Sequence, residues 1–122
     1  MNQDMLNDKI NREFLRLHIN EIVTCSGTFV SYGYNGSLLI TSCKYFDDLI
    51  NTNIGIPHMW LQNIINKNEF LNLREGDIIF VTGTVKSYKN SDPTYSLKTT
   101  MGLTNCKIQS ATQSIFIRLI NN

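Results

Sequence analysis

The chain has 122 residues, 42% of them hydrophobic, and a formal net charge of +1. This length predicts one domain with its own core, and the near-neutral charge does not by itself indicate a nucleic-acid partner. The sequence contains no long apolar run and no signal-peptide pattern at its start, so we expect a cytoplasmic protein without a membrane span. Three cysteines without a CxxC pair, and two histidines without ligand spacing, argue against disulfides or a zinc site. We therefore expect reduced, buried thiols and neither a metal nor another cofactor.

The first part of the chain predicts a helix followed by a β-hairpin. In residues 4–19 apolar side chains recur three and four positions apart, which is typical of an amphipathic helix. From 22 to 34 the composition changes to the Thr, Val, Phe and Tyr of a strand. The stretch "YNGS" (34–37) contains an Asn-Gly pair, which favours a type I′ hairpin turn, and "LLITSCKYF" (38–46) predicts the returning strand.

The middle of the chain has weaker signals. Residues 47–57 ("DDLINTNIGIP") predict an irregular connection, and "HMWLQNI" (58–64) predicts a short third strand. A short helix is predicted in 66–73, between the third and fourth strands, and "REGD" (74–77) predicts a tight turn.

Two further strands are predicted in the C-terminal part. The fourth covers 78–88 and is followed by a loop at 89–94 that contains Asp-Pro. The fifth covers 95–108, and Gly102 predicts a bend within it. The tail 109–122 fits either a short helix or a last strand.

Two of the predicted strands share a sequence pattern. "IVTCSGTFVSY" (22–32) aligns without a gap with "IIFVTGTVKSY" (78–88), and the alignment superposes Gly27 on Gly83. A glycine inside a strand usually marks a bulge or a bend. In a five-stranded Greek-key barrel strand one pairs with strand four, so we predict that the two glycines let both backbones turn a corner together. A chance match between two Thr- and Val-rich strands is the alternative.

The stretches "GTFVSYGYNGSLLIT" (27–41) and "LREGDIIFVTGTVKSY" (73–88) resemble the OB-fold, the oligonucleotide/oligosaccharide-binding barrel. "HMWLQ" (58–62), followed by that strand, also resembles small OB-like proteins of firmicute phages and mobile genetic elements. The resemblance covers roughly residues 22–108 and implies a mainly β, five-stranded Greek-key OB-like barrel. We expect a single domain with three parts: an N-terminal helix (1–20), the barrel (22–108) and a C-terminal element (109–122).

Catalytic patterns are missing from the sequence. It has no Walker-type loop, no His-x-x-x-His and no GxSxG. Asp47 and Asp48 form the adjacent carboxylate pair, but neighbouring side chains of an extended chain point apart, so we expect a solvated loop there. His58 has no neighbour that would activate it as a base. We therefore predict a protein that is not an enzyme.

Binding of single strands requires aromatic surfaces on which bases stack and cations that follow the phosphates. Strand alternation places both kinds of side chain on outer faces near the strand ends. The predicted site residues are the following: Tyr32, Tyr34, Trp60 and Tyr88 for stacking, and Lys44, Lys86, Lys89 and Lys98 for phosphates. Most have a structural alternative: Tyr32 and Tyr88 also fit packing under a terminal helix, Trp60 fits the core, and the lysines aid solubility.

The function that the resemblance and these residues imply is non-enzymatic binding of single-stranded DNA or RNA with little sequence preference. The alternative is a protein-interaction OB module, either an accessory subunit of a replication enzyme or a phage-type inhibitor of a nuclease. The near-neutral charge and the amphipathic N-terminal helix fit that alternative. Sugar binding is a third interpretation, for which only Trp60 and the tyrosines speak. Affinity for single strands that falls with salt would separate the first interpretation from the second.

Overall fold

The computed structural model describes residues 10–89 and 99–112. Residues 10–14 are α-helical and continue into a 3₁₀ turn, Leu15–His18. The five strands are β1 (Ile22–Tyr32), β2 (Leu38–Asp47), β3 (Thr52–Leu61), β4 (Ile78–Lys89) and β5 (Thr99–Thr112). Short 3₁₀ turns follow β1 (Tyr34–Gly36) and β3 (Lys67–Glu69). In the described ranges no helix is both long enough and apolar enough to span a membrane.

The strands form a closed barrel in the order β1-β2-β3-β5-β4. All pairs are antiparallel except β3 with β5, which are parallel. This topology confirms the predicted five-stranded OB-like barrel with a helix at its N-terminus, and the small helix between β3 and β4 is present as a 3₁₀ turn.

The prediction for residues 47–57 is wrong in its second half, because β3 begins at Thr52 and not at residue 58. β2 and β3 pair from Asp47↔Thr52 to Leu38↔Leu61. Asn, Gly and Pro lower the strand propensity of this segment, but pairing with β2 and burial of two alternating isoleucines, Ile54 and Ile56, override it.

β5 also differs from its prediction, since it continues to Thr112, four residues beyond the predicted end at 108. Its last residues pair with the start of β4. The loop predicted at 89–94 beyond Lys89, the first part of the predicted strand 95–108 and the end of the tail (113–122) lie outside the described residues.

The core lies inside the barrel and contains the side chains that strand alternation assigns to it. In β4 the inward residues are fully buried: Ile79, Val81 and Val85 each have 0% exposure. All three cysteines are free thiols buried in this core, as predicted. Burial raises the pKa of the Cys43 and Cys106 thiols to about 12, so they stay protonated at neutral pH.

Gly27 and Gly83 lie in the same β1–β4 ladder, but they do not pair with each other. Each lies at a register shift in its other ladder, Gly27 against β2 and Gly83 against β5. A Cβ on Gly27 would lie 2.8 Å from Ile40 Cδ1, and one on Gly83 would lie 2.9 Å from Cys106 Sγ. Gly27 therefore makes room for a side chain of β2 and Gly83 for a side chain of β5, each at a bulge. The prediction that the two glycines let β1 and β4 turn one corner together is wrong.

The expectation that Asp47 lies in a solvated loop is also wrong, because its side chain is fully buried at the end of β2. The carboxylate accepts hydrogen bonds from His18 Nε2 and Tyr45 Oη, both at 3.0 Å. It also accepts from the backbone N–H groups of Leu49 at 3.0 Å and Ile50 at 3.4 Å, which form the turn into β3. Four donors thus satisfy this carboxylate, and the bond from His18 joins the N-terminal segment to the barrel.

Candidate nucleic-acid interface

An open groove of ≈ 450 Å³ lies on the outer surface of the barrel. It is formed by the β1–β2 loop (33–37), the end of β3 with the residues that follow it, and the end of β4. We call it the aromatic groove; the described residues that line it are Asn35, Ser37, Trp60, Gln62, Asn63 and Tyr88. OB-folds bind oligonucleotides with the face of strands 2 and 3 and with the loops after strands 1 and 4. The described lining lies in the loop after β1, at the end of β3 and at the end of β4.

Trp60 provides the first aromatic wall. Its neighbours Met59 and Leu61 point into the core with exposures of 1% and 0%, whereas Trp60 is half-buried and points outward. The indole packs against Gly33, where an added Cβ would lie 2.7 Å from Cη2. Trp60 therefore belongs to the outer surface and not to the core, which decides the question that the sequence left open.

Tyr88 provides the second wall, near the end of β4. Its ring lies over Gly102 of β5, where an added Cβ would lie 2.5 Å from Tyr88 Cε1. β5 keeps its register with β4 at this glycine, so the missing side chain makes room for the ring. Burial raises the pKa of the Tyr88 phenol, and the positive charge of Arg12 offsets part of that rise.

Of the other two predicted stacking residues, Tyr32 is not among the lining residues, and the side chain of Tyr34 lies outside the part of the chain that the structure describes. Tyr32 is 49% exposed, its hydroxyl donates to the Phe70 carbonyl at 3.2 Å, and its ring meets Phe29 edge to face with centroids 5.1 Å apart. Tyr34 lies in the 3₁₀ turn that borders the groove. Their roles stay predictions.

The predicted lysines lie at different distances from the groove. Lys86 is exposed and lies two residues from Tyr88 on the same face of β4, and exposed Lys89 ends that strand. Lys86 therefore places positive charge on the face of the second aromatic wall, whereas alternation directs the side chain of Lys89 to the opposite face of the strand. Lys98 lies outside the described residues.

Lys44 is exposed on the outer face of β2, but it lies farther along the barrel. Its partner on β3 is Gly55, whereas the partner of Trp60 on β2 is Leu39. The five residue-to-residue steps from Leu39 to Lys44 span about 16 Å along a strand. Lys44 would therefore contact a bound nucleic acid only if that nucleic acid extends beyond the groove.

Two cations near the groove were not predicted from the sequence. Arg12 Nη2 donates to the His58 carbonyl of β3 at 2.8 Å, and Asn11 Nδ2 donates to the Gly55 carbonyl at 2.9 Å. Lys67 Nζ lies 3.9 Å from the position of an added Cβ on Gly36, beside the turn that carries Asn35. No sequence signal links these cations to the groove, because their positions depend on how the N-terminal segment and the β3–β4 connection fold back.

The carboxamides of the lining were also missed. Gln62 and Asn63 follow β3 directly, and a polar Gln-Asn pair at the end of an otherwise apolar strand is the signal that could have drawn attention to them. Asn63 Nδ2 donates to Thr104 Oγ1 of β5 at 3.0 Å.

Metal binding has one candidate among the described residues. Ligand atoms of His18, Asp47 and Asp48 lie within 4.8 Å of one another. The Asp47 carboxylate is already satisfied by His18 and three further donors, so this group is better explained as a structural network.

Comparisons with known proteins give a distant structural likeness. No family model matches the chain, and no curated protein matches it. Among solved structures, the chain is similar to a small single-stranded DNA-binding protein from Streptomyces coelicolor, with 15% identity and a TM-score of 0.41. The match covers 80% of this chain and 97% of that chain. At this degree of likeness, the fold rests on the strand topology described above.

Proposed function

We propose that this protein binds single-stranded nucleic acid without catalysing a reaction and with little overall sequence preference. One observation carries the proposal: Trp60 of β3 and Tyr88 of β4 line a single groove between the β1–β2 loop and the end of β4. Both rings pack on a glycine at one side, so their positions are fixed before a ligand arrives. Stacking of a base on an aromatic ring contributes about 1–3 kcal/mol and does not require a particular base.

The phosphates would be held by cations at the rim of the aromatic groove. Lys86 lies on the same face of β4 as Tyr88, Lys89 follows Tyr88 at the end of that strand, and Lys67 lies beside the β1–β2 turn. The charge of Arg12 also acts on Tyr88. Tyr32, Tyr34, Lys44 and Lys98 would extend the same track to neighbouring nucleotides. Three or four phosphate contacts predict that log K falls with log salt with a slope of about −2 to −3.

Fluorescence anisotropy tests this proposal. A labelled 15-nucleotide single strand and a duplex of equal length are titrated with protein at low and at physiological salt. We expect binding that is selective for the single strand and that weakens with salt. Absence of binding at low salt would refute the proposal.

Variants locate the site. Trp60→Ala and Tyr88→Ala should each weaken binding by roughly 5–150-fold, which corresponds to 1–3 kcal/mol. Phe80→Ala is the matched control, because Phe80 is an outward aromatic residue of β4, 45% exposed, that does not line the groove. An equal loss in the Phe80 variant would mean that the aromatic groove is not the site.

Docking on another protein is the second candidate function. Three large apolar side chains are exposed on the outer faces of neighbouring strands: Ile22 at 75%, Phe46 at 56% and Phe80 at 45%. Exposed apolar groups of this kind are common at protein interfaces. An accessory subunit of a replication enzyme or an inhibitor of a nuclease, and an origin in a phage or mobile element, remain predictions of this alternative. Light scattering at increasing protein concentration would reveal self-association through this surface.

A further inference from the structure

The lining of the aromatic groove contains more than two rings. Its other four side chains, those of Asn35, Ser37, Gln62 and Asn63, are neutral and combine hydrogen-bond donors with acceptors. Resting on the proposed function, we propose that the groove takes one nucleobase and reads its edge with the carboxamides of Gln62 and Asn63. A protein with little overall preference would then discriminate between bases at this one position.

The part of the chain that carries the two carboxamides is fixed to β5. The backbone N–H of Gln62 donates to the Leu103 carbonyl at 2.9 Å, and the Asn63 carbonyl accepts from the N–H of Cys106 at 3.1 Å. The Asn63 side chain is bonded to Thr104, as described above. These contacts hold the backbone of both residues and the side chain of Asn63, so little further ordering of these groups would accompany binding.

The charge distribution favours a base over a phosphate inside the groove. Among the lining residues that the structure describes, none is a cation. Described cations lie outside it, on β4 (Lys86), beside the β1–β2 turn (Lys67) and in the N-terminal segment (Arg12). A flat, uncharged group with donors and acceptors along its edge is complementary to two aromatic faces and to carboxamides. Unpaired nucleobases have this chemistry, and proteins read them through such edges.

A fixed carboxamide discriminates because a mismatched edge leaves its donor or acceptor without a partner. A stacking platform alone gives modest preferences, which come from stacking strength and strand flexibility. The two sources of preference differ in how they respond to removal of the carboxamides. Removal of the Gln62 or Asn63 carboxamide abolishes its hydrogen bonds with the base edge. The flexibility of the nucleic-acid strand stays the same.

Anisotropy titrations with labelled 15-nucleotide dT, dC and dA homopolymers at one salt concentration test the proposal. For the wild-type protein we expect Kd values that differ by roughly tenfold between the best and the worst strand. Asn63→Gly and Gln62→Ala should reduce this range to roughly threefold or less. Glycine is chosen at position 63 because φ is +51° there, and circular dichroism checks that both variants fold.

Equal Kd values for the wild-type protein would overturn base reading and leave the proposed function intact. A preference that persists unchanged in both variants would also overturn it, because strand flexibility would then be the cause. Failure to bind any strand would overturn both proposals. Binding of glucose or N-acetylglucosamine in place of the oligonucleotides would instead assign the groove to sugars.

Discussion

The buried His18–Asp47 contact offers the most direct test of how the N-terminal segment is held. His18 is 4% exposed and Asp47 is fully buried, and the two side chains are 3.0 Å apart. On its other side His18 Nδ1 contacts Glu21 at 2.7 Å, and the Glu21 side chain is 62% exposed. The substitution His18→Leu fills a similar volume but removes one donor from a carboxylate that has no access to water.

Loss of one partner from a buried ion pair costs about 3–5 kcal/mol, since the remaining charge stays desolvated. We therefore expect His18→Leu to lower the free energy of unfolding by roughly that amount in urea denaturation at pH 6. Glu21→Gln is the matched control, because it removes the exposed partner of the same imidazole and should cost only about 0–1 kcal/mol. Similar, small losses in both variants would refute the view that Asp47 depends on His18.

The pH dependence of stability gives the same prediction a second readout. The hydrogen bond with Glu21 raises the pKa of the His18 imidazole, burial opposes the rise, and Asp47 raises it further. The stabilisation that His18 contributes is therefore complete below its unfolded pKa of about 6.5 and is lost as pH rises through the folded-state pKa.

For Asp47, burial acts to raise the pKa, but the hydrogen bonds from His18 and then Tyr45 outweigh burial and leave the pKa lowered. Its contribution is present above the unfolded pKa of about 3.9 and is lost as pH falls through the lower, folded-state value. His18→Leu should abolish the decline of the unfolding free energy as pH rises through the folded-state pKa of His18.

Two further predictions follow from packing. Gly33→Ala should destabilise the protein by about 1–3 kcal/mol and shift the emission of Trp60, the single tryptophan, because the new Cβ overlaps the indole. Gly55→Ala is its control, since the nearest atom to the added Cβ is 3.9 Å away, and equal effects would contradict the described packing. The buried thiols should not react with N-ethylmaleimide at pH 7.5 in the native protein and should react after unfolding; rapid native labelling would show that the barrel opens readily.

The parts of the fold that depend on local pattern could be predicted from the sequence. Alternation identified the inward faces of β1 and β4, and the Asn-Gly pair identified the first hairpin, where Asn35 and Gly36 have φ values of 60° and 74°. The burial of Asp47 could not be predicted, because it depends on His18, which lies 29 residues away in sequence. The start of β3 at Thr52 could not be predicted for a similar reason, because pairing with β2 outweighs the low strand propensity of its first residues.

The candidate site could also be predicted from the sequence only in part. Trp60 and Tyr88 were predicted one by one, because each alternates with core residues of its own strand. Their meeting in one groove depends on the closure of the barrel and on Gly33 and Gly102, two glycines from other segments that make room for the rings. No local pattern connects a glycine to an aromatic residue on a distant strand.

An aromatic ring over a strand glycine also has a purely structural explanation, since it covers backbone that would otherwise face water. Two substitutions at Tyr88 separate that explanation from base stacking. Tyr88→Phe keeps the flat ring over Gly102, whereas Tyr88→Leu keeps apolar cover but removes the aromatic face.

If the ring stacks on a base, Tyr88→Phe retains most of the affinity for a single-stranded oligonucleotide. Tyr88→Leu then loses roughly tenfold in affinity, in line with about 1–3 kcal/mol per stacked base. If the ring only covers the glycine, both variants bind like the wild type, and only their unfolding free energies differ. The two results are separable because anisotropy reports affinity and urea denaturation reports stability on the same protein samples.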